Sequence, residues 1–165
     1  MVSATREIAA GAGQIFELIA DPAAQPRWDG NDNLASAPAG QRVRRPGDVF
    51  AMTLTRGEIR ENHVVEFEEG RRIAWTPAEP GKAPPGHLWR WELEPVDAGC
   101  VLRLSHFVTD VAAAIDNCYV VGLHASLARL SPCLAGQPIA WDWDGFAEAQ
   151  SRYAGIGLAP PVSAP

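Results

Sequence analysis

The sequence predicts one α+β domain in which a long amphipathic helix lies on the concave side of a curved antiparallel sheet. Three observations carry this. From Val49 to Thr109, strand-like alternation recurs in segments separated by turn residues, the pattern of an antiparallel meander. From Asp110 to Leu134, the residues Ile115, Tyr119, Val120, Leu123, Leu127, Leu130 and Leu134 recur at helical steps and form one apolar stripe. A helix of this kind, arriving after a run of strands, buries its stripe against their sheet.

The elements follow in order. Val2 to Ile8 alternates as a short strand, and Gly11-Ala12-Gly13 turns the chain. Gln14 to Ala20 carries a helical apolar face of Ile15, Phe16, Leu18 and Ile19. Asp21-Pro22 ends that helix and starts a second, because Asp caps and Pro suits a first helical position. Pro26 keeps the second helix short, and Trp28-Asp29-Gly30-Asn31 reads as a turn. Asn33 to Pro46 is mostly loop with a strand at Gln41 to Arg44; Val49 to Thr55, Glu58 to Glu68 and Arg72 to Thr76 are strands joined by turns. The proline-rich stretch Pro77 to Gly86 is a loop. His87 to Glu94 and Cys100 to Thr109 complete a sheet of six to seven strands. After the long helix, Gly136 and Pro138 break the chain, and Asp144 to Tyr153 is a short helix. Trp141-Asp142-Trp143-Asp144 reads as a clasp holding that helix to the body, or as a partner surface; residues 156–165 are a Gly-, Pro- and Ala-containing tail.

Composition narrows the function. A chain of 165 residues is one domain by default, here 1–165, and 47% hydrophobic residues suffice for one core. The net charge of -6 and the lack of a basic run exclude phosphate-driven nucleic-acid binding. No apolar run spans a membrane and the N-terminus has no apolar signal core, so a cytoplasmic location is expected. Cys100, Cys118 and Cys133 lack metal spacing and read as small apolar side chains, so no metal and no cofactor is expected. Nucleophile-elbow, zinc-protease and phosphate-loop motifs are absent.

Alternation sorts the strand residues onto two faces. One face of His87 to Glu94 carries His87, Trp89, Trp91 and Leu93, with Arg90 and Glu92 opposite; Leu102, Leu104, His106 and Val108 share a face of the next strand. Phe50, Met52 and Leu54 share a face, Ile73 and Trp75 another, and Ile59, Glu61, His63, Val65 and Phe67 a third. If these are the concave faces, the interior is aromatic with a few polar groups, a composition suited to a flat apolar ligand. Candidate ligand contacts are Trp28, Phe50, Met52, Trp75, His87, Trp89, Trp91, Tyr119 and Leu123. Trp75, Trp89 and Trp91 read equally well as core. An inward Glu or His in an apolar pocket can move protons. If the protein is an enzyme, His63 and His106 are the proton-handling pair, with Glu61 orienting. A lone inward His is more often a satisfied core residue.

The segments Ala4 to Gly30, Gly47 to Leu54, Glu61 to Trp75 and His124 to Leu130 together resemble the polyketide cyclase/dehydrase and START-like superfamily, often called SRPBCC. The resemblance extends over roughly Ala4 to Tyr153. It implies a helix-grip fold with an apolar cavity between sheet and helix. It leaves three functions open: a binding protein that sequesters a hydrophobic, polyketide-like small molecule, an aromatase/cyclase-type enzyme, and a protein-interaction module like the superfamily's chaperone activators.

Overall fold

The computed structural model describes residues 1–29, 33–117, 119–139, 147, 150 and 151. The chain runs β1 (Val2–Ile8), α1 (Ala12–Ala20), a short 3-10 helix (Pro22–Arg27), β2 (Leu34–Ser36), β3 (Val49–Leu54), β4 (Ile59–Glu68), β5 (Arg72–Ala78), β6 (Leu88–Val96), β7 (Gly99–Phe107), α2 (Val111–Asp116) and α3 (Tyr119–Leu134). The seven strands form one curved antiparallel sheet in the order β1-β7-β6-β5-β4-β3-β2. Hairpins join β3 through β7 in sequence. β1 closes the far edge against β7, pairing Val2 with His106 and Ile8 with Cys100. The fold is the helix grip.

Burial follows the apolar pattern. In α1, Ile15, Phe16, Ile19 and Ala20 are buried, and the Asp21 carboxylate accepts from Ala23 N–H to cap the helix that follows. α3 turns Val120, Leu123, Leu127 and Leu130 inward and packs chiefly on β1, more lightly on β7 and α1. The helix therefore covers one side of the sheet, while α1 and the Pro22–Arg27 turn approach the rest. The aromatic gap lies between them. Arg42 ties α1 to the β4–β5 turn, its guanidinium reaching Glu17 and Glu69 at 2.6 Å each.

Four expectations need correction. The helix expected from Asp110 to Leu134 is two helices. Asn117 ends α2 because its backbone N–H and its side-chain amide both donate to the Ala113 carbonyl, at 2.9 and 2.7 Å. The early strand lies at Leu34–Ser36, not Gln41 to Arg44. β5 runs through Pro77 to Ala78. Pairing with β6 ends at Trp75 opposite Trp89, so the side of Pro77 that lacks an N–H faces no ladder partner.

The fourth correction is the face of β4. Phe50 and Met52 are buried and sit opposite Asn62 and Arg60; Val64, also buried, sits opposite Trp75. The inward set is therefore Arg60, Asn62 and Val64. Ile59 and Val65 are exposed, and Glu61 and His63 lie on the outer face beside Val49 and Thr76. A bulge between Val64 and Glu66 leaves Val65 outside and returns Phe67 to the core, edge-on to Phe16. The Trp141–Asp144 clasp, Cys118 and the tail lie outside the described residues; of the expected helix Asp144 to Tyr153, Ala147, Gln150 and Ser151 are described and are helical.

Candidate functional site

Four tryptophans meet inside the grip because two strands deliver three of them to one face and the turn after the 3-10 helix adds the fourth. Trp75 pairs across the ladder with Trp89, and Trp91 follows two residues along β6. Arg90 and Glu92 take the opposite face, where Arg90 pairs with Glu66 and stacks over Phe107. Trp28 enters from the Pro22–Arg27 turn. Its indole N–H donates to Leu18 O at 3.2 Å, and its ring meets Trp91 edge to face at 5.3 Å. Phe50 packs edge to face on Trp75 at 5.4 Å. Trp28, Trp75 and Trp91 are buried, as are Phe50, Met52 and Leu123; Trp89 is half-buried.

The packing leaves a small, partly open cavity of about 60 Å³, lined by the four tryptophans with Arg60, Asp29, Asn33 and Ser126 among the polar groups. That space holds a small polar group or a few waters, and no polycyclic body. A second, open cleft of about 810 Å³ lies at the sheet end, lined by Leu54, Ile59, Arg60, Pro77, Pro85 and His87 among others. Its size is that of a small-molecule site. Arg60 lines both spaces and stands at the boundary between them.

A second cluster adjoins the tryptophans. The His106 ring stacks on Trp89 at 3.8 Å, with His87 Nδ1 3.2 Å from His106 Nε2 and the Tyr119 ring at 5.1 Å. His106 is 2% exposed. Burial, and after it the electrostatic influence of His87, the N-terminal amine and Arg60, push its pKa down to about 3. His106 is therefore neutral at physiological pH, a hydrogen-bonding group and a weak base. Below pH 6.5 the unfolded chain takes up a proton here that the folded chain refuses until about pH 3, so stability falls as pH drops through that window. His106→Gln removes this uptake. In paired urea titrations, the stability of the variant relative to wild type should rise by roughly 1 kcal/mol per pH unit as pH falls from 6 to 4. Parallel pH profiles would show that His106 titrates normally.

The expected proton-handling set is not assembled. Glu61 and His63 pair with each other at 3.8 Å on the outer face, both partly exposed, while His106 is inside. The residues that sequence reasoning missed are Arg60 and Asn62. Asn62 is wholly buried, and neither its amide nitrogen nor its oxygen has a partner; Arg60 Nε, Trp91 Nε1 and His106 Nδ1 are also buried without one. Nothing in a strand reading Arg-Glu-Asn-His marks Arg and Asn as the inward pair. Among the described residues, no group of three or more His, Cys, Asp or Glu is arranged to hold a metal. No described helix is long and apolar enough to cross a membrane.

The sequence model of a family described as polyketide cyclase/dehydrase and lipid transport matches residues 1–118. No curated protein sequence matches the chain. Among solved structures, the BPP1335 protein of Bordetella parapertussis is similar at 25% identity and TM-score 0.66, covering 96% of this chain and 86% of its own. CalU16 of Micromonospora echinospora is 18% identical with TM-score 0.65, covering 92% and 84%. The CV1439 protein of Chromobacterium violaceum is 20% identical with TM-score 0.63, covering 81% and 95%. The last two likenesses show the fold alone.

Proposed function

The chain belongs to the polyketide cyclase/dehydrase and lipid-transport family, and from that premise we propose that it binds and sequesters a flat, largely apolar small molecule at the mouth of its grip. The observation that carries this is the convergence of four tryptophans and Arg60 on a small cavity adjoining an open cleft. Aromatic walls take a planar body through stacking and edge contacts. The cleft supplies the volume that the interior lacks. Phe50, Met52, Tyr119 and Leu123 back the tryptophans from the sheet and from α3, and His87 stands at the cleft wall.

The competing reading, a cyclase using His63, His106 and Glu61, requires three groups at one substrate. Two of them are on the other side of the sheet, and the third is a weak base. Sequestration is the reading this arrangement favours. The test is a fluorescence titration with N-phenyl-1-naphthylamine, a neutral aromatic probe. Saturable one-to-one enhancement is expected, weakened when Trp89 is replaced by Ala. Absence of saturable binding would overturn the reading.

A further inference from the structure

The unpartnered polar atoms inside the grip describe the ligand. Arg60 projects from β4 into the concave side, opposite Met52. Among the described residues it makes no hydrogen bond, and no carboxylate reaches ion-pair distance of it. The carboxylate that acts on it is Asp29, which also accepts the Asn33 and Leu34 N–H groups at 2.8 and 3.2 Å. Burial disfavours the Arg60 charge more than Asp29 supports it. A partly buried guanidinium with no carboxylate at ion-pair distance gains little from its charge, and folding alone does not explain its retention. Trp91, 3% exposed, lines the same cavity with an indole N–H that has no acceptor. Both groups are donors, and the cavity between them has room for a few heavy atoms.

We propose that the ligand carries an oxyanion, a carboxylate or sulfonate on a flat apolar body, with the anion seated in the inner cavity against Arg60 and the Trp91 N–H and the body lying in the outer cleft. This rests on the reading of the grip as a ligand site. Two oxygens of a carboxylate or sulfonate accept from two N–H groups of a guanidinium and one accepts a further bond from the indole, so the orphaned Arg60 and Trp91 donors of the cavity are used. The apolar body meets Leu54, Ile59, Pro77 and Pro85. Binding then supplies the charge that the empty site lacks.

The experiment uses a matched probe pair, 8-anilinonaphthalene-1-sulfonate and N-phenyl-1-naphthylamine, which differ in the sulfonate alone. The wild type should bind the sulfonate at least about ten-fold more tightly, the size of a charge-assisted hydrogen bond. Arg60→Met should abolish that preference while changing affinity for the neutral probe less than about three-fold. Trp91→Phe, which keeps the ring and removes the N–H, should lower sulfonate affinity with Arg60 in place. Arg103→Gln, in a charged groove on the outer face beside Arg71 and Arg72, should change neither. Because it removes an unpaired charge, Arg60→Met should also raise the melting temperature by about 2–4 °C. Equal affinity for both probes, a preference lost on Arg103→Gln, or a lowered melting temperature in Arg60→Met would each overturn the proposal. If neither probe binds the wild type, the ligand-site reading itself fails.

Discussion

Gly99→Ala is expected to lower the free energy of unfolding by roughly 2–6 kcal/mol, from backbone strain and overpacking together. Gly99 opens β7 at φ +154°, a conformation that L side chains rarely adopt. A Cβ built there would lie 2.1 Å from the Ile8 carbonyl oxygen and 3.0 Å from Ala10 N, both backbone atoms. No side chain can swing aside to relieve that contact. Ile8 ends β1 opposite Cys100, so relief must separate the β6–β7 turn from the strand that closes the sheet. Urea unfolding followed by circular dichroism measures the loss. An unchanged midpoint would mean that β1 does not approach the turn this closely.

Trp91→Ala should cost about 3–5 kcal/mol, the usual range for deleting a buried aromatic. Trp91 is 3% exposed and holds the other rings together, with Trp28 at 5.3 Å and Trp75 at 6.2 Å. Trp91→Phe should stay within about 1 kcal/mol of wild type, because it removes an indole N–H that has no partner while keeping most of the packing. The contrast is informative. Equal losses for both variants would mean that the N–H is satisfied in solution by protein.

β6 was legible in the sequence and β4 was not, and charge explains the difference. In β6 every inward position of Trp89, Trp91 and Leu93 is apolar and Arg90 and Glu92 fall between them, so the reverse choice would bury two charges. In β4 each face mixes polar with apolar: Ile59, Glu61 and His63 alternate with Arg60, Asn62 and Val64. The adjacent Val64 and Val65 fit either register, and the bulge that separates them leaves no trace in the sequence. The error moved Glu61 and His63 to the wrong side and hid Arg60 and Asn62. The inward polar residues of β4 contradict the binary pattern of a strand, and such local contradictions concentrate at functional sites. The long helix was legible as an apolar stripe. Its break at Asn117 was not, since it depends on one side-chain amide competing for one carbonyl.

The central claim is that a ligand reaches the tryptophan cluster inside the grip. The indole N–H resonances of the six tryptophans, assigned by single Trp→Phe variants, report on it directly by two-dimensional NMR of protein labelled with nitrogen-15. On titration with 8-anilinonaphthalene-1-sulfonate, the Trp75, Trp89 and Trp91 resonances should shift together and saturably, Trp91 most, because its N–H gains an acceptor. Stationary Trp75, Trp89 and Trp91 resonances while the probe binds would contradict the account, because the ligand would then sit elsewhere on the protein.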